Sequence, residues 1–299
     1  MSISDAQGWI VFAKVAELGS FSEAATELGI GKATVSKTIG RLETNLGLML
    51  IHRTSRAVSL TTSGVDLATD AKQLADFAEA LDDRAREGSA TPSGIVRMAV
   101  PMSFGLRCLG EFAAHFAADY PEIELDIHLS DSKADLIADG FDVGLRIADL
   151  PDSSMIARKI RDVALHIVAS PEYLQEHGEP EHPSDLYRHA CLRYSLLPRP
   201  TAWRFKHVTL GEYFVEPRGP ILANNSDVLR ESVRSGVGIA IMPDFIVGDD
   251  LKDGTVTPIL TNWKPPDVAL HLITPPGRLR PLRVQIVIDR LRNDLSTRQ

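Results

Sequence analysis

Cysteine and long apolar runs are scarce in this chain. Two cysteines, Cys108 and Cys191, occur in 299 residues, so a small disulfide-stapled scaffold is excluded. A disulfide, metal ligation and redox sensing remain alternatives, but two buried free thiols are favoured because both lie in apolar surroundings. No apolar run is long enough to cross a bilayer, and residues 1–5 lack the basic start and apolar core of a signal peptide. We therefore expect a cytoplasmic protein with no membrane partner.

Sequence signatures of catalysis are also missing. The chain contains no Gly-rich phosphate loop, no Gly-x-Ser-x-Gly elbow and no His or Cys pairs at metal-ligand spacing. His177, His182 and His189 lie in Pro-rich, loop-like surroundings and are interpreted as solvated or structural. We expect no catalytic residue, no metal and no cofactor, and an enzyme is kept as a rival class that turnover of a small acid would revive.

Apolar residues at helical spacing predict three helices near the amino end. Gly19 ends the first helix, and Ser20 with Glu23 three residues later predicts a capping box that starts the second at Phe21. The third helix, residues 31–46, has one apolar stripe, formed by Val35, Ile39, Leu42 and Leu46.

The other face of the third helix is small and polar. Its candidate contact residues are Lys32, Ala33, Thr34, Ser36, Lys37 and Arg41. Small residues let a helix lie deep in a groove, and lysine, serine and threonine bond base edges or phosphates. An ordinary solvated helix has the same composition, so this face alone does not decide between the two.

Local charge favours DNA. Residues 29–64 hold five basic residues and one acid, whereas the whole chain has a net charge of −8. A polyanion selects such a concentrated positive surface. Residues 50–60 are interpreted as a hairpin, the wing, whose Arg53 and Arg56 meet phosphate or an adjacent minor groove.

Taken together, the spacings from Phe12 to Gly64 resemble the winged helix-turn-helix of LysR-type transcriptional regulators. The resemblance implies that the first turns of the third helix contact DNA and that Arg53 contacts the backbone. Three positions depart from the family: Lys32 replaces a common glutamine, Lys37 a common arginine and Ile51 a common phenylalanine. Because lysine favours guanine or phosphate where glutamine reads adenine, the target sequence does not carry over.

A linker helix is predicted over residues 65–87, which carry seven acids and three bases. A narrow apolar seam follows alternating steps of three and four: Ala71, Leu74, Ala78, Leu81 and Ala85. A solvated single helix is the alternative, but it leaves Leu74, Phe77 and Leu81 bare. The resemblance implies that this helix pairs two subunits, so that two recognition helices read a near-palindromic site. Residues 88–94 follow as a hinge.

Strands and helices alternate after the hinge, which predicts an α/β domain with substantially parallel sheets. Strands are expected at 95–100, 123–129, 142–147, 164–170, 221–223, 238–242 and 268–274. Helices are expected at 106–118, 226–235, 243–251 and 282–295. The resemblance implies a two-lobed effector domain similar to type 2 periplasmic binding proteins. The predicted organisation is DNA-binding domain 1–64, linker 65–87, hinge 88–94 and effector domain 95–299, with lobe I at 95–163 and 267–299 and lobe II at 164–266.

An effector pocket is predicted where the lobes meet, since ligands of such sheets bind outside the carboxyl ends of the strands. The candidate residues are Met102, Ser103, Ser130, Asp131, Arg146, Asn225 and Ser226. Helix starts and one guanidinium make a small carboxylate the candidate effector. Each residue also has a purely structural alternative: Ser103 and Ser226 as N-caps, Asn225 in a turn, and Arg146 in a surface ion pair.

The resemblance implies double-stranded promoter DNA, a small-molecule effector and further copies of the chain as partners. Family members usually form tetramers, and RNA polymerase is a further candidate partner. Effector closure of the lobes would change how the subunits pack and so how DNA is held. A transport solute-binding protein is the second rival class, which fits the C-terminal part but not the basic N-terminal module.

Overall fold

A computed structural model describes residues 5–53, 58–85, 92–132, 136, 139–148, 156–197, 202–275 and 279–296. The chain forms two compact units. The first is Met1–Gly94 with the short segments Asp135–Gly140 and Gly277–Ile286, and the second comprises Ile95–Ala134, Phe141–Pro276 and Val287–Gln299.

The first unit begins with three helices: α1 (Ala6–Leu18), α2 (Phe21–Glu27) and α3 (Lys32–Leu46). Their boundaries follow local signals that the sequence predicted. The Ser20 hydroxyl accepts a hydrogen bond from the Glu23 amide (3.3 Å), and Gly19 and Gly47 end α1 and α3 in the left-handed conformation. The shared core is formed by Phe12, Val15, Ala24, Val35, Ile39 and Leu42, which are all buried.

Two short strands and a long helix complete this unit. The strands β1 (Ile51–Arg53) and β2 (Val58–Leu60) pair antiparallel, and residues 54–57 of the predicted wing lie outside the described residues. The helix α4 spans Thr62–Ala85, so it begins three residues before the predicted linker. Gly64 is required at its start, because a Cβ there would lie 2.1 Å from the Leu50 carbonyl oxygen.

The predicted seam of α4 needs one correction. Ala71 is buried against the helical core rather than available to a partner. Further along, Leu74, Phe77 and Leu81 are exposed by 38%, 47% and 44% of their surface. The free apolar stripe therefore includes Phe77 and lies in the second half of α4. Of the predicted hinge, residues 88–91 lie outside the described residues, and Gly94 already begins the next strand.

The second unit contains a first five-stranded sheet with the order β4-β3-β5-β15-β6. Its strands are β3 (Gly94–Val100), β4 (Ile123–Leu129), β5 (Val143–Ala148), β6 (Ile156–Val163) and β15 (Val268–Thr274). After β3 the chain continues through α5 (Met102–Phe104), a π-helical turn (Gly105–Leu109) and α6 (Gly110–Asp119). The helix α10 (Leu282–Ser296) follows β15.

A second five-stranded sheet has the order β11-β8-β12-β7-β13. Its strands are β7 (Leu165–Ala169), β8 (Cys191–Tyr194), β11 (Leu222–Ala223), β12 (Ile239–Pro243) and β13 (Thr257–Pro258). The associated helices are α7 (Pro171–His177), a 3-10 helix (Pro183–Arg188), α8 (Ser226–Arg234) and α9 (Asp244–Asp253). A small antiparallel sheet, β10-β9-β14, joins β9 (Trp203–His207), β10 (Gly211–Val215) and β14 (Trp263–Lys264).

The expectation of substantially parallel sheets is wrong. β3 with β5, and β8 with both β11 and β12, are parallel, but β15 runs antiparallel to β5 and β6, and β7 antiparallel to β12 and β13. In the first sheet the reversed strand is β15, which returns from more than 100 residues after β6, and in the second it is β7, the first strand in sequence. Strands of the first sheet come from 94–163 and 268–274, and those of the other two from 165–264. The predicted domain and lobe limits remain predictions.

Candidate functional site

The polar face of α3 lies opposite its buried stripe. Val35, Ile39 and Leu42 are fully buried in the helical core. Their burial turns the predicted DNA-contact residues outward: Lys32, Ala33, Thr34, Lys37 and Arg41 are exposed, and Ser36 is half-buried. Thr38, which the sequence did not single out, is buried beside the stripe. The arrangement presents two lysines and small side chains on one side of a single helix.

The start of α3 is open. Its N-cap is Gly31, which has no side chain to accept a hydrogen bond from the first turn. The first backbone N–H groups of a helix lack partners within the helix, and they carry partial positive charge. The Lys32 side chain belongs to this same first turn, and no described residue forms an ion pair with it or with Lys37. A phosphate oxygen can therefore be bound at this end by N–H groups and an ammonium together.

Arg41 differs from the two lysines. Its guanidinium forms an ion pair with Asp5, the residue whose side chain also caps α1 by accepting from the Gly8 amide at 3.1 Å. A phosphate must compete with Asp5 for Arg41. Arg53 is the last residue of β1, and Arg56 lies outside the described residues.

Glu43 positions the wing and was not predicted as functional. One of its carboxylate oxygens accepts hydrogen bonds from the backbone amides of Leu50 (2.9 Å) and Ile51 (3.1 Å). Since Glu43 is the one acid among residues 29–64, its presence in a basic segment was a signal available from the sequence. Its bonds attach β1 to α3.

Four predicted effector residues meet in the second unit, between its two five-stranded sheets. The Asn225 amide nitrogen lies 2.9 Å from an Asp131 carboxylate oxygen and 3.3 Å from the Ser103 hydroxyl. The other Asp131 oxygen accepts from the Met102 amide at 3.0 Å. These four residues, called the cleft cluster below, connect the ends of β3 and β4 to the start of α8. Ser103 is only 5% exposed.

Three further contacts join elements of the two five-stranded sheets and their helices, and sequence reasoning missed them. Arg107 of the π-helical turn binds Asp227 of α8, with its Nε 3.0 Å from the carboxylate. Phe104 and Phe245 pack edge to face with ring centroids 5.4 Å apart. Arg161 lies 3.5 Å from the Asp244 carboxylate. A single sequence offers no signal for such pairings, because their members are some 80 to 140 positions apart.

The remaining predicted residues lie outside the cleft cluster. The exposed Ser130 bonds the Ser132 hydroxyl at 2.7 Å. Ser226 is the first residue of α8 and not its N-cap, since the Asn225 side chain takes that role by accepting from Asp227 N at 2.9 Å. Arg146 lies within β5, half-buried and opposite His271 of β15.

The electrostatics of the cleft are set by carboxylates. Burial would raise the pKa of Asp227, but hydrogen bonds from Ser103 and Arg107 and the charge of Arg107 outweigh it and lower that pKa. Burial, and after it the negative charge of Asp131, raises the pKa of Tyr194 to about 12. The Tyr194 phenol is therefore a neutral donor beside the cleft at physiological pH.

The two cysteines do not form a disulfide. Cys191 is buried in β8, where its thiol donates to the Leu186 carbonyl at 3.7 Å, and burial raises the pKa of this thiol to about 12. Cys108 is only partly buried, so the prediction of two buried thiols was wrong for that residue. Within the described ranges no group of three His, Cys, Asp or Glu side chains is placed to hold a metal ion, and no helix has the length and hydropathy needed to span a bilayer.

Comparisons with known proteins agree in two segments. Residues 8–65 match "Bacterial regulatory helix-turn-helix protein, lysR family", and residues 89–296 match "LysR substrate binding domain". An HTH-type transcriptional regulator of Xanthomonas campestris pv. campestris is 33% identical over 290 residues, covering 95% of this chain and 84% of the relative.

Solved structures give the same result over the full length. The Neisseria meningitidis LysR-type regulator CrgA is 29% identical, with a TM-score of 0.61 over 98% of this chain and 99% of that one. The Vibrio cholerae virulence activator AphB, described as a member of the LTTR family, is 27% identical, with a TM-score of 0.62 over 97% and 99% of the two chains.

Proposed function

The chain belongs to the LysR family of transcriptional regulators, and we propose that it binds promoter DNA through α3 and alters transcription when a small molecule binds its effector domain. The family is one of regulators rather than enzymes. The helix-turn-helix and the substrate-binding domain are both present, and the proposal concerns which residues perform each role.

The observation that carries the DNA-binding role is the outward face of α3. Lys32 and Lys37 are exposed cations without an ion-pair partner among the described residues, on the helix that the family uses for recognition. Lys37 and Ser36 are in position to contact base edges, while Lys32 and the open helix start suit phosphate. Arg41, Arg53 and Arg56 are proposed as backbone contacts.

The exposed stripe of α4 supports dimerisation. Leu74, Phe77 and Leu81 expose apolar surface along one helix. Exposure of this surface to water is unfavourable, and a second α4 would bury it. Two paired subunits present two α3 helices to half-sites on one face of the duplex. We propose a tetramer built from such pairs, located in the cytoplasm on the nucleoid, with RNA polymerase as a candidate contact at the promoter.

The cleft cluster supports effector binding in the second unit. It joins the carboxyl ends of β3 and β4 to the start of α8, which is where ligands bind in sheets of this kind. A molecule inserted there must replace the bonds of Asn225, so binding biases the spacing of the two sheets. Arg146 supports a carboxylate on the effector, together with the helix starts at Met102 and Ser226.

The test is fluorescence anisotropy of the full-length protein with duplex DNA from the intergenic region beside its own gene. We expect Lys37→Ala to weaken specific binding by about 1–3 kcal/mol and to relax base preference. Lys32→Ala should weaken binding to all sequences and lower the salt dependence by about one unit per contact.

The matched control is Lys252→Ala, since Lys252 is an exposed lysine of α9 in the effector domain. This substitution should leave DNA affinity unchanged. If Lys37→Ala and Lys32→Ala bind the intergenic DNA as tightly as Lys252→Ala does, α3 is not the recognition helix.

A further inference from the structure

We infer that the effector carries a protonated amine and that Asp131 binds this amine in the cleft cluster. The inference rests on the proposed function, because it assumes that the cleft is the effector site. Under this inference the effector is not purely anionic, because it carries a positive group, with or without a carboxylate.

The charges of the cleft are the first argument. Asp227 is neutralised by Arg107, whose guanidinium binds it directly. Asp131 accepts only neutral donors, the Met102 amide and the Asn225 side chain, and no described cation pairs with it. The cluster therefore retains one unit of negative charge. A cationic ligand would neutralise that charge, whereas a simple carboxylate would place a like charge beside it.

The position of the Asn225 amide is the second argument. Its nitrogen lies between two acceptors, the Asp131 carboxylate at 2.9 Å and the Ser103 hydroxyl oxygen at 3.3 Å. An ammonium nitrogen has three donors and satisfies the same two acceptors. It makes charge-assisted bonds, which are about twice as strong as the neutral bonds of an amide. The Asn225 side chain occupies the place where a ligand amine would bind.

The third argument is the surroundings of that place. Ser103 is buried and its hydroxyl donates to the Asp227 carboxylate, so its oxygen is left to accept a hydrogen bond from a donor within the cleft. Tyr194 lies close enough to Asp131 for the carboxylate charge to raise the pKa of its phenol, which stays neutral. A hydroxyl oxygen, a phenol oxygen and a carboxylate that no described cation neutralises are all acceptors, which the donors of a protonated amine require.

The experiment uses the full-length protein and three four-carbon probes that differ only in charge: n-butylamine, 4-aminobutyrate and butyrate. Thermal shift and calorimetry are measured with each probe at millimolar concentration. We expect n-butylamine and 4-aminobutyrate to raise the melting temperature and butyrate to leave it unchanged. Butyrate stabilising the protein as well as the amines do, or neither amine producing a shift, would overturn the inference.

Two variants locate the effect. Asp131→Asn keeps the size but removes the charge, so it should weaken amine binding about tenfold or more. The control Asp249→Asn makes the same change at a carboxylate that is 91% exposed, and it should have no effect. Amine affinity unchanged by Asp131→Asn would contradict a direct contact.

A second variant covers the case in which Asp131→Asn fails to fold. Asn225→Ser keeps an N-cap for α8 but shortens the side chain, so that it no longer competes for Asp131. Amine affinity should rise, and a fall would count against the inference. Anisotropy with the intergenic DNA is recorded on the same samples. If the unmodified protein binds the DNA but does not respond to the amines, this inference alone is refuted. If the unmodified protein does not bind the intergenic DNA, the proposed function is refuted.

Discussion

Replacing Asp250 by asparagine should destabilise the effector domain strongly, although Asp250 contacts neither DNA nor the cleft. Its carboxylate is 1% exposed and accepts three short hydrogen bonds. Two come from Arg230 at 2.6 Å each and one from Arg234 at 2.7 Å, so α9 is bound to α8 by a buried charge. The bonds to Asp250 are the main reason that the pKa of Arg230 is raised.

The magnitude follows from what the substitution leaves behind. Breaking a buried ion pair by removing one partner costs about 3–5 kcal/mol, because a charge remains without compensation. The Arg230 side chain is 17% exposed and that of Arg234 36%, so both guanidiniums regain some water. Hydrogen bonds from the two guanidiniums to the asparagine oxygen also persist in part. We therefore expect the lower end, a loss of about 3 kcal/mol in the free energy of unfolding.

The neighbouring residue provides the control. Asp249→Asn makes the same chemical change on the same helix, in an exposed ion pair with Lys252 at 3.2 Å. Such pairs contribute about 0–1 kcal/mol. Urea unfolding is followed by the fluorescence of Trp203 and Trp263, which are both buried in the second unit. The measurements use a Trp9→Phe background, so that the first unit contributes no tryptophan fluorescence. A loss for Asp250→Asn no larger than that for Asp249→Asn would refute the argument.

Two more predictions test local features. Gly64→Ala should destabilise the DNA-binding domain by about 1–3 kcal/mol, because the new methyl overlaps the Leu50 carbonyl oxygen. The control Gly110→Ala should be neutral or stabilising, because nothing lies within 4 Å of the new methyl there. Equal thermal stabilities of the two variants would contradict this prediction. Cys191 should resist iodoacetamide at pH 8 in the folded protein, because its pKa of about 12 leaves almost no thiolate, whereas the partly exposed Cys108 should react first. Mass spectrometry of peptides gives the labelling rate of each cysteine, and the same measurement in urea gives the rates in the unfolded protein. Equal labelling of the two cysteines in the folded protein would count against the burial argument.

The DNA-binding half was largely predictable because its signals are local. Gly19, Ser20 and Gly47 act within one turn of the helices that they end or begin. The apolar stripe of α3 fixes which side faces the core and therefore which faces outward. Even here, the pairing of Arg41 with Asp5 was missed, because it joins residues 36 positions apart in sequence.

The effector half was predictable as elements but not as a site. The bounds of strands such as Val268–Thr274 were predicted to within a residue or two, because the pattern of apolar and polar residues within each segment indicates a strand. Sheet order and strand direction depend on which distant segments meet, and neither is visible in one sequence. The chemistry of the cleft has the same origin. Asp131 was a candidate, but that no described cation pairs with it emerges only when the segments carrying Asn225 and Arg107 are brought together.

The bonds of Glu43 divide the recognition helix into two functional parts. The Glu43 carboxylate that binds β1 lies more than one turn beyond Lys37, and the buried Ile39 and Leu42 lie between these two residues in the helix. Lys32, Thr34 and Lys37 contribute nothing to either attachment. If the proposed contact face reads DNA, exchange of these leading side chains should change the operator preference and leave the scaffold intact.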